Sequence, residues 1–315
     1  MALGVGSLSR GSEGEPALAD VHIDPAEVTL DGPHSRFTLL VEGRTSTGEI
    51  VDLTHVATYE SANPEIIAVS LRGIVTSVAD GAGTVRVRVA GRELTVPVRV
   101  SNSHAERRLN FEHDIIPILS KAGCNTSGCH GKAEGQNGFK LSVFGSDPPA
   151  DYVALTQEGR GRRVFAARPT QSLLLAKASG GIPHGGGVRI PRDSRDYETL
   201  LEWIAGGLPL GQPTDPHVVS VEVTPRERPL RFGARQQLRV IATDSTGRKF
   251  DVTEHSRFQS NNDGLARVDE SGLVTVGESP GEAAIMASYM GPVAVFRVLI
   301  PQPDIAGTYP ELPAD

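Results

Sequence analysis

Cysteine is nearly absent from this chain. Its 315 residues include two, along with three methionines and one tryptophan, and two thiols cannot build a disulfide scaffold. Aromatic residues are scarce at 5%, whereas glycine and proline number 35 and 22; that balance favours many short strands and turns over large helical cores. Positive charge is outweighed, with 31 Lys and Arg against 38 Asp and Glu. The net charge of −7 argues against a phosphate-binding surface, so no nucleic-acid partner is expected. No apolar run approaches the roughly 20 residues that cross a bilayer, and no membrane span is expected. Ala17-Leu18-Ala19 has the small-x-small form of an export cleavage site, but Ser7 to Pro16 before it is polar. A signal peptide is therefore absent from this chain, and the expectation is that it was removed before Met1 or that the chain is a fragment. Residues 1–20, rich in Gly, Ser and Glu, are expected to be disordered.

What is present is a repeat. Ser46-Thr47-Gly48-Glu49-Ile50-Val51-Asp52-Leu53-Thr54 returns as Ser245-Thr246-Gly247-Arg248-Lys249-Phe250-Asp251-Val252-Thr253, 199 residues later. Ser61, Asn63, Val69, Gly73 and Val75 match Ser260, Asn262, Val268, Gly272 and Val274 at the same offset. Within a copy, Thr84-Val85-Arg86-Val87-Arg88-Val89 alternates apolar and charged residues as a half-buried strand does. Each copy, 21–101 and 218–301, reads as an all-β sandwich of about 80 residues. The order Asp-x-Thr, Ser-x-Asn, Val, Gly-x-Val resembles the bacterial immunoglobulin-like group 2 family. That resemblance implies spacer or adhesive modules in an exported protein, periplasmic or at the cell surface.

Between the copies the texture changes. Phe111 to Gly123 and Asp196 to Ala205 read as helices, the second with Tyr197, Leu200, Leu201 and Ile204 on one stripe. Asn110 is a candidate cap of the first, and Asp193 or Ser194 of the second. Pro117 lies in the first turn of its helix or kinks it. About 100 residues with two helices and long glycine-rich loops make a thin core, so a bound group is expected to fill residues 107–210. The tail 302–315 follows the second sandwich.

Both cysteines fall in Cys124-Asn125-Thr126-Ser127-Gly128-Cys129-His130. Two thiols beside an imidazole suit covalent attachment of haem c, with thioether links to the ring and His130 on the iron. The spacing departs from the usual C-x-x-C-H by two residues. A disulfide between Cys124 and Cys129, a zinc site needing a fourth ligand, or free thiols are the alternatives. No methionine lies in 107–210, so the second axial ligand is sought among His184, His113, His104, a lysine or an open position. Arg162, Arg163, Arg189 and Trp203 are candidate partners for haem propionates. Lys132, Lys140 and Lys177 are candidate docking charges for an acidic redox partner, and Asp147 with Asp151 a candidate calcium pair.

The stretch Asp114-Ile115-Ile116-Pro117-Ile118-Leu119-Ser120, the Cys124 to Gly131 segment, Gly138-Phe139-Lys140-Leu141-Ser142, Gly161-Arg162-Arg163-Val164, Ser172-Leu173-Leu174-Leu175, Pro183-His184 and Glu202-Trp203-Ile204 occur in an order that resembles the planctomycete-type cytochrome c domain in its long-spacing form. The resemblance implies a mainly α cytochrome c-like domain with one covalent haem c. It favours Arg163 at a propionate, and it puts His184 where that family carries its distal segment. The function expected is electron transfer by a bis-His haem, with a redox partner protein or further domains beyond Asp315 as partners. Two alternatives stand beside it: a five-coordinate haem that binds or activates a small ligand, and a zinc-stabilised structural or adhesive surface protein. No Ser-His-Asp or paired-carboxylate pattern marks a hydrolase, so the chain is expected to carry electrons rather than act as an enzyme by itself.

Overall fold

The computed structural model describes residues 17–106 and 108–302. The segment expected to be disordered lies outside the described residues up to position 16, as does the tail from 303. The described part of that N-terminal segment already enters a strand.

The first module carries ten strands: β1 (Leu18–Asp24), β2 (Val28–Asp31), β3 (Arg36–Thr38), β4 (Leu40–Thr45), β5 (Ile50–Asp52), β6 (Thr58–Ser61), β7 (Ile67–Val69), β8 (Ile74–Ser77), β9 (Gly81–Val89) and β10 (Arg92–Ser101). They form sheets in the orders β1-β4-β5, β2-β10-β9-β6 and β3-β8-β7. The second module repeats this with β11 (Val218–Thr224), β12 (Glu227–Pro229), β13 (Arg235–Gln237), β14 (Arg239–Asp244), β15 (Lys249–Asp251), β16 (Arg257–Ser260), β17 (Ala266–Val268), β18 (Leu273–Val276), β19 (Gly281–Ser288) and β20 (Val293–Ile300). Its sheets run β11-β14-β15, β12-β20-β19-β16 and β13-β18-β17, strand for strand the same.

Alternation explains the strands. In β9, Val85, Val87 and Val89 are buried, each contributing roughly 1.5–3 kcal/mol of burial. Arg86 and Arg88 point outward, and Arg88 meets Glu93 at 2.7 Å and Glu60 at 3.0 Å across neighbouring strands. Glycine fixes one turn in both copies. Gly73 and Gly272 have φ of +75° and +81°, and a Cβ there would lie 2.8 and 2.7 Å from the rings of Tyr59 and Phe258. Only glycine fits both the backbone and the aromatic lid.

Residues 107–210 do not form a mainly α cytochrome c-like domain. Their helices are α1 (Ile116–Lys121), α2 (Pro148–Thr156), α3 (Leu173–Ala178) and α4 (Arg195–Ala205), of 6, 9, 6 and 11 residues. α-Helix thus covers under a third of the segment, and strand dominates the regular structure of the described chain. The expected first helix is split: a wide turn over Phe111–Ile115, capped by Asn110, precedes α1, and Pro117 sits in the first turn of α1. Ser194 caps α4, and Gly206 and Gly207 end it. No helix among the described residues is long and apolar enough to cross a membrane.

The expectation of a bound filler fails for a packing reason. Phe111, Ile115, Ile116, Leu119, Leu141, Leu155, Leu175, Leu200, Trp203 and Ile204 close a continuous core from protein side chains alone. Phe111 lies 5.3 Å from Tyr152 edge-on and 5.4 Å from Trp203, within the usual range of aromatic contacts. Because Trp203 is the one tryptophan, its fluorescence reports this core alone. Leu200→Ala is expected to lower the urea midpoint of the tryptophan transition, at a cost of about 2–5 kcal/mol. The far-UV signal of the β-modules should keep its midpoint; an unmoved tryptophan transition would contradict this packing.

Candidate functional site

Two places gather chemistry-bearing residues: the cysteine loop and the contact between the two β-modules. The cysteine loop leaves the end of α1 and folds back on itself. Cys124 N–H donates to Leu119 C=O at 2.9 Å, Cys129 N–H to Thr126 C=O at 2.9 Å, and His130 N–H to Cys124 C=O at 3.0 Å. Asn125 is fully buried inside the loop and donates from Nδ2 to Ser120 Oγ at 2.8 Å. A Cβ on Gly131 would overlap the Asn125 carbonyl oxygen, so glycine permits this close approach. Both cysteines are free thiols and half-buried. Burial pushes the Cys124 thiol up to about 11, with the neighbouring Cys129 acting in the same direction.

His130 packs against Phe139, ring centres 4.4 Å apart, and its Nδ1 lies 3.0 Å from Phe139 C=O. Burial lowers its pKa first; the contact with Phe139 C=O opposes this, and His184, Arg163 and Lys132 add to the lowering. His184 sits on an exposed loop with Nδ1 3.0 Å from Gly187 C=O.

The four candidate propionate partners divide. Arg163 is buried, bonded from Nη1 to Ala154 C=O and from Nη2 to Gly138 C=O, with its guanidinium 4.5 Å from the Phe139 ring centre. Trp203 donates from Nε1 to Pro209 C=O at 2.9 Å and is fully buried. Both therefore brace their own segment. Arg162 and Arg189 are exposed. Of the other candidates, His113 is half-buried in the turn before α1, and His104 is exposed. Lys132 and Lys140 lie half-buried and exposed, and Lys177 donates to Pro183 C=O at 3.1 Å. Asp147 caps α2 through Ala150 N–H, and Asp151 accepts from Ser142 N–H and Oγ. Each carboxylate already has its own local partners.

The second place was not legible as a site. The repeated Asp-x-Thr does one job twice within each module: Thr54 Oγ1 accepts Val41 N–H at 2.8 Å, and Thr253 Oγ1 accepts Val240 N–H at 2.8 Å. Asp52 Oδ1 accepts from Thr54 Oγ1 at 2.6 Å, and Asp251 Oδ1 from Thr253 N–H at 2.8 Å. The other carboxylate oxygen crosses to the opposite module. Gln237 N–H donates to Asp52 Oδ2 at 3.2 Å, and Thr38 N–H to Asp251 Oδ2 at 2.6 Å. Thr38 and Gln237 are 199 residues apart, as are Asp52 and Asp251, so the modules meet about an approximate two-fold axis. β3 faces β15 as β5 faces β13.

Ion pairs surround this clasp. Arg239 reaches Asp24 at 2.6 Å, Arg228 reaches Glu42 at 2.5 Å, Arg231 reaches Glu49 at 2.5 Å, and Arg36 reaches Glu254 at 2.5 Å. Arg239, Arg228 and Glu42 are largely enclosed, where loss of one partner is costly; the exposed Arg231 contributes little. The central segment joins the second module through Lys121 Nζ, which donates to the carbonyls of Ser256 and Glu270. Arg257 lies over the Phe144 ring at 4.4 Å. A cavity of about 930 Å³ opens where all three parts meet, bordered by Asp31, His113, Asp196, Arg248, Glu254 and His255.

Comparison with known proteins agrees with the modules. Residues 55–102 match the family model described as bacterial Ig-like domain, and residues 217–288 the bacterial Ig-like domain of group 2. The chain therefore contains two bacterial Ig-like modules, and neither match extends into the cysteine loop. No curated protein matches the chain. Among solved structures, the S-layer protein rSbsC(31-844) is 14% identical, with 84% of this chain and 23% of that chain covered and a TM-score of 0.25. SbsC domains 5-6 are 12% identical, covering 91% of this chain and 100% of that chain, with a TM-score of 0.33. The 282-residue intimin fragment in complex with the Tir intimin-binding domain is 10% identical, covering 91% and 64%, with a TM-score of 0.20. Likenesses this low carry no argument about function. The chain spans about a quarter of the length of the first S-layer structures it matches, 23% and 28%.

These findings correct the cytochrome expectation. Both family matches are immunoglobulin-like. No group of three or more His, Cys, Asp and Glu side chains able to hold a metal ion occurs among the described residues. The core that a haem was to fill is closed by Phe111, Trp203 and their neighbours. Haem c, its iron ligands His130 and His184, and an electron-transfer role are withdrawn with it.

Two predictions follow the geometry. Asp251→Ala strips Thr38 N–H and Thr253 N–H of their acceptor, at a cost of about 1–3 kcal/mol. Hydrogen exchange of the Thr38 amide should accelerate while that of Val41, held by Thr54, does not; equal rates in both proteins would remove the clasp. The second concerns His255, whose Nε2 is 3.8 Å from Asp196 Oδ1. Burial holds its pKa below the ordinary value of 6.5; Arg36 and Lys121 push the same way, and Asp196 and Glu254 oppose them. The unfolded chain therefore takes up this proton first as pH falls. Its contribution is complete above pH 6.5 and is lost as pH drops through the folded value. His130 adds a slope of the same sign. Urea unfolding at pH 7.5 and 5.5 should show a smaller loss of stability for His255→Gln than for the natural chain, and an identical loss would refute the assignment.

Proposed function

We propose that this chain is a structural unit of an exported, surface-associated protein, in which two bacterial Ig-like modules are clasped into one stiff block. The reciprocal pairing of Asp52 and Asp251 with the opposite module carries this reading. Flexible tandem modules would expose these carboxylates to water, whereas here they lock one module on the other. The family matches support an exported setting, since modules of this kind resemble those of bacterial surface proteins. A structural role also fits what the cysteine segment offers: a packed core, a self-closed loop and no three-donor metal set among the described residues. The zinc once paired with a surface role is therefore left out of it.

The test is proteolysis of intact source cells with an added protease, followed by detection with antibody against the second module. The protein should be cleaved from outside while a cytosolic marker stays intact. Protection of the chain in intact cells, with cleavage only after lysis, would overturn the exported reading.

A further inference from the structure

Cys124 and Cys129 are the only cysteines in the chain, and the backbone between them is held in a closed loop. The 3.0 Å bond from His130 N–H to Cys124 C=O ties the residue after one cysteine to the carbonyl of the other. With standard bond lengths, that contact places the two Cα atoms about 5–7 Å apart, which is the span disulfides bridge. The loop is held from both sides. Cys124 N–H is bonded to the end of α1 at Leu119, and Gly131 N–H to Thr126 C=O at 2.9 Å. The buried Asn125 is pinned to Ser120. The two side chains are also near enough for charge on one to disfavour ionisation of the other.

From this geometry we infer that Cys124 and Cys129 are a modification site, closed into a disulfide when the protein meets a thiol–disulfide oxidant. The oxidant is a disulfide of the type RS–SR. One cysteine thiolate attacks an RS sulfur, forming a mixed disulfide and expelling RS⁻. The second cysteine sulfur then attacks the first, forming the Cys124–Cys129 bond and expelling the other RS⁻. Two protein thiols are oxidised, one RS–SR is reduced, and the two cysteine protons end on two RSH. The bond would staple the end of α1 to the backbone that carries His130. The presence of an oxidant rests on the exported reading above, because such bonds persist outside the reducing cytosol. The closed loop that brings the two cysteines together does not depend on it.

The full chain, reduced and then incubated with oxidised glutathione, is treated with N-ethylmaleimide and weighed by intact mass spectrometry. No adduct is expected on the oxidised chain, and two on the reduced chain that was not given oxidised glutathione. Cys124→Ser and Cys129→Ser should each accept one adduct after removal of any glutathione. Two adducts on the oxidised natural chain, or a persistent mixed disulfide with glutathione, would overturn the inference. So would a preparation already heavier than its polypeptide, whose sulfurs carry another covalent group. Closure in the tube of a chain that external protease never reaches would refute export and leave the disulfide standing.

Discussion

Two carboxylates, each accepting a main-chain N–H from the opposite module, set where everything else lies. A hydrogen bond to an ionised oxygen is shorter and stronger than one between neutral groups. It is strongest where water is kept out, and the Asp52 side chain is fully enclosed. Each aspartate ends the third strand of its sheet, where an edge would otherwise present unpaired groups. The same side chain also organises its own turn through the following threonine. Local folding and module pairing are therefore one event: a module whose Asp-x-Thr turn is disordered has no acceptor to offer its partner. The central segment is anchored through Lys121 and Arg257, so its orientation depends on a second module already in place.

Much of this architecture is written in residue order. The 199-residue repeat predicts two like modules, and the matching sheet orders repeat it in three dimensions. The alternation of Val85, Val87 and Val89 with arginines correctly assigns the two faces of β9. Ser194 and Asn110 act as the caps their positions suggest. The crossing bonds were invisible because their donors, Thr38 and Gln237, offer only backbone N–H, which every residue but proline carries. α2 was missed although its signal was present: Asp147 before Pro148 and Pro149 is a helix start. α3 is six residues long, too short for periodicity to show.

The cysteine heptapeptide shows how a local pattern misleads without its surroundings. Two thiols and an imidazole in seven residues suit several chemistries, and the choice among them turned on whether the segment could fill its own interior. Two helices and long glycine-rich loops suggested that it could not, and aromatics are few in the chain as a whole. The structure concentrates them: Phe111, Tyr152 and Trp203 meet from three separate stretches of the segment. An average over 315 residues hides such clustering, and the apolar stripe of α4 finds its counterpart in protein.

Duplicated modules that stick together face a problem of identity, since each surface resembles its sibling's. Here the two copies have diverged at the clasp. The counterparts of Glu49, Glu42 and Glu254 at the 199-residue offset are Arg248, Ile241 and His55, and that of Arg239 is Leu40. Two second modules brought together in this way would set Arg231 against Arg248 and Arg228 against Ile241. Two first modules would set Arg36 against His55 and leave Asp24 beside Leu40. Only the mixed pair matches every charge, so neighbouring copies of the chain are discouraged from zipping together through this face.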